Sequence, residues 1–328
     1  MNIELLPLLH CPKTGSAFDL ESPIYVGNKI LDGWLVSKNG STKYPIKNYI
    51  PRFVPESNYA DNFGMQWNMF SQTQLDSFSG HPISADRFWK ATGWDKADLK
   101  GKWVLDCGCG AGRFAEVALE AGANLIALDY SSAVDACYSN LKHFPNLHLV
   151  QGNIYELPFI PNSFPYVYSL GVLQHTPNVE KAFAALPEML MVEGKLCVDF
   201  YERNFKSKLL PKYWLRPITK KMDQKRLFEL LQKWVPRMWP ISVGLGKIPL
   251  IGNLLKRFIP IANYKGILPL SEKQLKEWAL LDTFDWLAPE YDNPQDSKTV
   301  LKWFKNANFT NIEVLKESHL VGRGVKPQ

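Results

Sequence analysis

The sequence predicts an α/β protein with a mainly parallel, doubly wound sheet. Between residues 101 and 202, apolar runs of strand length alternate with longer segments of helical periodicity, which is the pattern of repeated strand–helix–strand units. A glycine-rich turn joins the first of these strands to its helix. With 328 residues and 46% hydrophobic content, the chain can bury one sizeable core and still carry accessory elements.

Two segments precede this core. Residues 1–56 contain short apolar runs separated by Gly, Asn and Pro, which predicts a small β unit. Residues 57–100 are rich in aromatic side chains, and the spacing of Phe63, Trp67 and Phe70 puts them on one face of a helix. We expect a helical lid there, although each of these aromatics is equally well explained as a core side chain of a helical cap.

The predicted core comprises residues 101–202. Its strands are expected at 103–106, 124–128, 147–151, 166–171 and 195–201, and its helices at 112–121, 131–144 and 179–191. The ligands of such sheets bind at the carboxyl ends of the strands. Functional side chains are therefore expected just after each strand.

A basic segment, residues 203–270, interrupts the fold. Fourteen Lys/Arg lie between positions 203 and 257 against only Asp223 and Glu229, a local excess of twelve positive charges in a chain of formal charge +6. Helical spacing predicts an apolar face, made of Leu227, Leu230, Leu231, Trp234 and Val235. This basic amphipathic insertion has three explanations: packing on the core, peripheral contact with an anionic membrane through 203–257, or binding of a polyanionic substrate. Nucleic acid is the weakest of them, because no RNA-binding module is recognisable.

Residues 271–328 return to the core. Ser271 with Gln274 predicts a capped helix start, residues 281–292 an aromatic, acidic loop, and residues 297–307 a further helix. Three aspartates beside three aromatics in the loop suit a polar ring or an amine. The preferred substrate contacts are Asp285, Tyr291 and Asp292, whereas Asp282 and Asp292 could instead cap the adjoining helices.

The glycine turn has the spacing Asp106-x-Gly108-x-Gly110-x-Gly112. Glycines without Cβ atoms let a ligand approach the backbone, and the following helix presents free N–H groups there. A carboxylate at the start of the turn suits a cationic ligand better than a pyrophosphate, which it would repel. Asp129, which ends the second strand, is placed to accept both hydroxyls of a ribose. A dinucleotide-binding domain remains the alternative.

The runs 104–112, 127–129 and 151–154 resemble the class I S-adenosylmethionine-dependent methyltransferases, over roughly residues 100–201. The resemblance implies a Rossmann-like seven-stranded sheet, completed by an antiparallel hairpin at 311–317 and 319–325. It also implies S-adenosylmethionine as the cofactor and a lid formed by the segment before the first strand. The cofactor contacts are then Asp106, Gly108, Cys109, Gly110, Gly112, Asp129, Tyr130, Asn153, Ile154 and Leu170, with Asn153 replacing the aspartate of many members.

The same resemblance bears on the acceptor side. Candidate substrate contacts are Tyr59, Gln66, Trp67 and Arg87 in the lid and Tyr201 after the last core strand. His175 follows the fourth strand in a His-x-Pro turn similar to that of the ubiquinone and menaquinone methyltransferases, which makes it the candidate catalytic residue. Its neutral imidazole could take a proton from an incoming hydroxyl or amine. A structural histidine that bonds the loop is an equal alternative.

The N-terminal unit resembles the zinc-ribbon-like Trm112 family through 10–13 and 44–51. A zinc site needs four ligands, and Thr14 stands where the partner of Cys11 is expected, so we predict a metal-free remnant and no metal ligands. The absence of Cys-x-x-Cys pairs favours reduced thiols. No run of eighteen apolar residues and no signal-like start is present. A cytoplasmic location is therefore expected, which includes peripheral contact with the inner face of the membrane.

These observations favour a methyltransferase that acts on a small-molecule, sugar or lipid-linked acceptor by in-line transfer, which depends mainly on alignment. The rivals are an RNA methyltransferase and a non-catalytic binding protein on the same scaffold. The acceptor, the methylated atom and the oligomeric state are not predicted.

Overall fold

A computed structural model describes residues 1–55, 58–203 and 210–328. The N-terminal unit begins with a 3-10 helix, Ile3–Leu8, and continues as a four-stranded antiparallel sheet of β1 (Phe18–Val26), β2 (Lys29–Ser37), β3 (Lys43–Lys47) and β4 (Ile50–Pro51). The predicted small β unit is confirmed. Arg52 ties it to the core, because its guanidinium contacts Asp135 at 2.6 Å and Gln151 Oε1 at 2.8 Å.

Four helices precede the core sheet: α1 (Asp61–Met69), α2 (Asp76–Ser79), α3 (Ile83–Thr92) and α4 (Lys96–Leu99). The helical character expected of this segment is present. Phe88 of α3 is fully buried and packs against the rings of Trp94 and Tyr168, so α3 is anchored on the sheet. This anchoring holds the remaining polar residues of α3 at the edge of the core.

The core is the predicted seven-stranded sheet. Its strands are β5 (Trp103–Cys107), β6 (Asn124–Asp129), β7 (Leu147–Gln151), β8 (Phe164–Ser169), β9 (Leu190–Phe200), β10 (Thr310–Lys316) and β11 (Leu320–Val325), in the order β10-β11-β9-β8-β5-β6-β7. Strands β5 to β9 are parallel, and β11 pairs antiparallel with both β9 and β10. The central strands are buried on both faces, as parallel strands covered by helices must be.

The helices that alternate with the parallel strands and pack against the sheet are α5 (Arg113–Glu120), α6 (Ala133–Leu141) and α7 (Val179–Met189). The order reverses at β5, because β6 lies on one side of it and β8 on the other. Ligands of open α/β sheets bind in the crevice at such a reversal. The glycine turn after β5 opens into this crevice.

The insertion folds as α8 (Pro211–Thr219), α9 (Gln224–Gly246) and α10 (Gly252–Leu255), and α11 (Glu272–Leu287) packs against α9. Only part of the predicted apolar face is buried. Leu227, Leu231 and Val235 join the core of the insertion, whereas Leu230 and Trp234 remain 49% and 41% exposed. Among the described residues, no helix combines the length and the apolar character needed to cross a membrane.

The predicted acidic loop at 281–292 is wrong in its first half. Residues 281–287 are the last two turns of α11, whose start has the predicted capping box, and α12 (Ser297–Asn306) follows. This helix is covered by the insertion and by the core, so its buried side chains do not form the single stripe by which an amphipathic helix is recognised in a sequence. Asp282 and Asp285 are consequently helical residues.

Candidate functional site

The glycine turn after β5 is tightly packed by protein side chains. Gly108 has φ +101°, and a Cβ atom there would lie 2.4 Å from the Val172 side chain. A Cβ atom on Gly110 would lie 3.3 Å from the indole of Trp67. The lack of Cβ atoms on these glycines was expected to make room for a ligand. It also allows Val172 and Trp67 to pack against the turn, so the expectation is incomplete.

Asp106 begins this turn from a fully enclosed position. It is 2% exposed, and burial raises the pKa of its carboxyl group well above the ordinary value. Its Oδ2 atom has no hydrogen-bond partner among the described residues. The Tyr168 hydroxyl faces this carboxyl group and opposes the rise in its pKa, so the protein supplies one polar neighbour for it. A ligand or a water molecule is the other way to satisfy a buried oxygen.

Asp129 lies at the end of β6 and holds the turn together. Its Oδ2 accepts a hydrogen bond from the Gly110 N–H at 2.9 Å, and its Oδ1 accepts from the Ser131 N–H and hydroxyl at 2.9 and 2.7 Å. Burial raises the pKa of Asp129, and these hydrogen bonds oppose that shift. A carboxylate accepts about four hydrogen bonds, and the Tyr130 N–H adds a further contact to these three, so the protein itself takes up most of the acceptor positions predicted for both hydroxyls of a ribose.

A cavity of about 700 Å³ opens beside the turn. Of the predicted cofactor contacts, it is lined by Gly108, Cys109, Gly110, Asp129, Tyr130, Ile154 and Leu170. Asp106, Gly112 and Asn153 are not among its lining residues. The Asn153 side chain accepts a hydrogen bond from the Tyr155 N–H at 3.0 Å, so it stabilises the loop after β7.

The other wall of the same cavity contains most of the predicted substrate contacts. Tyr59, Trp67, Arg87, Tyr201 and Asp285 line it, whereas Gln66, Tyr291 and Asp292 do not. The Tyr291 ring packs edge-on against Tyr59, and Asp292 is buried in an ion pair with Lys212 at 3.2 Å. Asp292 therefore fastens α8 to the segment after α11, which accounts for its position without a substrate.

An ion pair between Arg87 and Asp199 lies on this wall. Arg87 Nη2 is 2.6 Å from Asp199 Oδ2, and Asp199 is fully buried at the end of β9. Burial alone would raise the pKa of Asp199, but Arg87 and the other favourable contacts of this carboxylate together outweigh it, and the pKa is lowered. The Gly171 N–H also donates to Asp199, and Arg87 Nε has no partner among the described residues. Arg87 can thus present an N–H to a ligand while its charge stays compensated.

Two aspartates of α11 complete the wall. Asp282 accepts hydrogen bonds from Tyr264 Oη at 2.5 Å and from Trp278 Nε1 at 3.2 Å, and Asp285 accepts from Tyr201 Oη at 3.1 Å. Burial raises the pKa of Asp282 to about 7. The two carboxyl groups therefore offer both donor and acceptor character near neutral pH, which suits a hydroxylated or amine-bearing molecule.

His175 lies where the strand-end argument predicts, in contact with the rings of Phe63 and Tyr201. Its Nδ1 is 3.0 Å from the Tyr291 carbonyl oxygen. Since a carbonyl oxygen only accepts, Nδ1 carries the proton and Nε2 of the neutral ring is left as a proton acceptor. His175 also lines the cavity, so both the catalytic and the structural explanations remain compatible with its position.

Sequence reasoning missed several lining residues: Arg113, Asp199, Tyr264, Asp282 and His319. Burial lowers the pKa of His319 to about 4, so it is a neutral imidazole beside Tyr201 at neutral pH. Asp199 could have been found, because it follows the rule that functional side chains come at strand ends. Arg113 could also have been found, because it directly follows the glycine turn at the start of α5. Tyr264, Asp282 and His319 reach the cavity from elements distant in sequence, and no local signal marks them.

Comparison with known proteins gives a family match to the core. Residues 105–198 match the family model described as "Methyltransferase domain". A tRNA U34 carboxymethyltransferase of Pseudoalteromonas translucida is 32% identical over 132 residues, which cover 37% of this chain and 41% of that protein. A sterol 24-C-methyltransferase of Pneumocystis carinii is 32% identical over 100 residues, which cover 29% and 26%.

The chain spans less than half of the length of these two relatives. Among solved structures, the magnesium protoporphyrin IX methyltransferase of Synechocystis, with bound S-adenosylhomocysteine, covers 82% of this chain and 96% of its own at 13% identity and a TM-score of 0.44. The relatives name different acceptors, so the acceptor has to be argued from the cavity itself.

Proposed function

We propose that this chain, whose residues 105–198 match a methyltransferase domain, is a class I S-adenosylmethionine-dependent methyltransferase that acts on a small-molecule, sugar or lipid-linked acceptor. The match of this stretch to a methyltransferase domain supports the predicted enzyme class and, with it, S-adenosylmethionine as the cofactor. The observation that carries the acceptor proposal is the shared cavity: the glycine turn and Asp129 form one wall, and a polar wall with Arg87, Tyr201 and Asp285 forms the other. At about 700 Å³, it is large enough for a drug-sized ligand.

The residues of the first wall fit the cofactor. Tyr130, Ile154 and Leu170 provide the apolar contacts that an adenine ring needs, and the Asp129 carboxyl group lines the cavity, where a ribose hydroxyl can share one of its oxygens. The unpartnered Oδ2 of buried Asp106 lies next to the turn and suits the positively charged methionine end, reached directly or through water. When bound, S-adenosylmethionine supplies an electrophilic methyl group on a sulfonium.

The chain's own residues then have to align the acceptor and exclude water. In-line transfer gains most from holding the nucleophile in position, and the lid residues Tyr59 and Trp67 cover the cavity where this must occur. Asp285 and Arg87 can orient hydroxyl or amine groups by hydrogen bonds. We assign to His175 Nε2 the acceptance of the proton that the acceptor loses.

Calorimetry with S-adenosylhomocysteine tests the cofactor half of this proposal. We expect binding that weakens at least tenfold in Asp129→Ala, because the turn loses its central acceptor, whereas Asp19→Ala on exposed β1 should change the affinity less than twofold. No binding at millimolar ligand, or equal affinity in the two variants, would sink the site assignment. Formation of S-adenosylhomocysteine on addition of an acceptor then separates an enzyme from a non-catalytic binding protein.

An RNA acceptor is the second candidate, supported by the excess of twelve positive charges at 203–257 and by relatives named for tRNA modification. Such binding must weaken steeply with salt, because it releases counterions. A filter-binding titration against tRNA at 50 and 200 mM salt decides it. Absence of salt-dependent retention removes this candidate.

We also propose that the N-terminal unit is Trm112-like and that the protein contacts a membrane. Cys11 begins a tight turn in which its carbonyl oxygen accepts from the Gly15 N–H at 2.7 Å, and Thr14 lies in this turn where a second ligand would stand, which supports a metal-free Trm112-like remnant. Exposed Leu250, Ile251 and Leu254 beside Lys247 and Lys256 support peripheral contact with an anionic membrane, which for a cytoplasmic protein is the inner face. Full recovery in the supernatant after sedimentation with anionic liposomes would refute that contact.

A further inference from the structure

A second cavity, of about 890 Å³, lies between the insertion helices and the tip of the β10–β11 hairpin. It is here called the outer chamber. It shares seven lining residues with the cavity at the glycine turn: Tyr201, Tyr264, Ile267, Trp286, Glu317, Ser318 and His319. The two cavities are therefore adjacent, and a molecule longer than the inner cavity has space to continue into the outer one.

The outer chamber has an apolar lining. Its walls include Leu210, Val243, Ile259, Ile261, Ile267 and Trp286. Such a lining favours an aliphatic or isoprenoid chain, since burying apolar surface contributes about 25 cal/mol per Å². A free sugar or an amino acid has no comparable apolar surface to offer.

The chamber is also positively charged. Six basic residues line it, Lys212, Lys247, Lys256, Arg257, Lys265 and Lys316, against two acidic ones, Glu202 and Glu317. Lys212, Lys265 and Lys316 form ion pairs with Asp292, Glu272 and Glu202. Across the described ranges, Lys247, Lys256 and Arg257 have no carboxylate within ion-pair distance. Three uncompensated cations beside an apolar wall complement an anionic amphiphile.

We propose that the outer chamber binds the phosphate-bearing apolar chain of the acceptor, so that the part to be methylated lies in the inner cavity. This proposal rests on the proposed function and narrows it to acceptors that carry a lipid phosphate. The phosphate lies against Lys247, Lys256 and Arg257, and the chain lies along Val243, Ile259 and Trp286. No bond is formed or broken in the chamber; its role is to bind and position the acceptor.

Three probes distinguish the sources of such an affinity. Farnesyl phosphate carries both chain and charge, farnesol only the chain, and inorganic phosphate only the charge. Calorimetric titrations measure the binding of each probe to the full chain in the absence of cofactor. The two isoprenoid probes are kept below their micellar concentrations. We expect farnesyl phosphate to bind at least tenfold more tightly than farnesol or inorganic phosphate. Equal affinity for farnesol, or for inorganic phosphate, overturns the proposal.

A charge-reversal pair locates the site. Lys256→Glu should weaken the binding of farnesyl phosphate at least tenfold. Lys298→Glu makes the same change at an exposed position of α12 and should alter this affinity less than twofold. Equal effects of the two variants would mean a general charge effect and would overturn the assignment. Both variants should keep the wild-type urea midpoint and the wild-type affinity for S-adenosylhomocysteine. If farnesyl phosphate fails to bind while S-adenosylhomocysteine binds, the chamber proposal fails and the methyltransferase proposal stands.

Discussion

The two walls of the inner cavity are built in different ways. The cofactor wall comes from residues 108–170, almost all of them in strand ends and turns of a continuous stretch of chain. The acceptor wall is assembled from α1, α3, the end of β9, α11 and the β10–β11 hairpin, which span residues 59–321. The first wall depends on backbone conformation, and the second depends on side-chain pairs such as Arg87 with Asp199 and Tyr201 with Asp285.

The two walls should therefore tolerate amino-acid substitutions to different degrees. A turn that needs positive φ and close packing tolerates few substitutions, because each added atom meets a neighbour. A wall of polar side chains on separate elements can be changed one pair at a time, provided that buried charges stay compensated. The same cofactor wall can thus serve many acceptors, and the insertion is the part of this chain in which acceptor choice is expected to lie.

The largest effect should come from the cofactor wall. Gly108→Ala adds a Cβ atom 2.4 Å from Val172 at φ +101°, so both overlap and backbone strain oppose the folded turn. We expect the free energy of unfolding to fall by about 2 to 5 kcal/mol. S-adenosylhomocysteine should bind at least about tenfold more weakly, because the turn must move. Urea denaturation and calorimetry measure the two quantities.

Gly101→Ala is the matched control for this change. Gly101 also has positive φ, +71°, but a Cβ atom there has open space around it. It should therefore show only the conformational cost, about 1 to 2 kcal/mol, and unchanged ligand affinity. If the two variants behave alike, close packing at the turn is not what distinguishes the cofactor wall.

The contrast between the walls also explains which features of the site can be predicted from the sequence. The core strands, the capping box of α11 and the glycine turn have local signals, and the structure contains all of them. The place of Asp129 at a strand end identifies it in the sequence, but its hydrogen bonds to the protein depend on the folded turn and have no local signal. The sequence places Asp282 in a loop because a helix buried on several sides has no single apolar stripe. Its pairing with Tyr264 arises only when α11 packs against the segment that precedes it.

The acceptor wall should show a distinct dependence on pH. The pKa of Asp282 is raised to about 7, against about 3.9 for an unfolded aspartate. Between about pH 4 and pH 7, the folded protein keeps a proton on Asp282 that the unfolded chain has released. This group's contribution to stability is therefore complete below about pH 4 and is lost as the pH rises through about 7, by up to about 1.4 kcal/mol per pH unit.

Asp282→Asn isolates this contribution, because the amide stays neutral. Other buried carboxyl groups, such as that of Asp129, are common to both proteins and cancel in the difference. The free energy of unfolding of the wild type, measured by urea denaturation relative to the variant, should decrease steadily from pH 5 to pH 7. A difference that stays constant over this range would show that Asp282 is already ionised at pH 5 and that the acceptor wall lacks a neutral carboxyl group.

The smallest effect concerns a residue of the cofactor motif that does not reach the cavity. Asn153 accepts from the Tyr155 N–H, so Asn153→Ala should lower the free energy of unfolding by about 0.5 to 1.5 kcal/mol. The affinity for S-adenosylhomocysteine should change less than about twofold. Ile154→Ala is the matched comparison, because Ile154 lines the cavity, and it should weaken the ligand by more. Asn153→Ala could instead weaken binding as much as Ile154→Ala does. The Asn153 amide would then contact the adenine, as the sequence motif predicts. The cofactor wall would in that case extend further along the loop after β7 than its lining residues indicate.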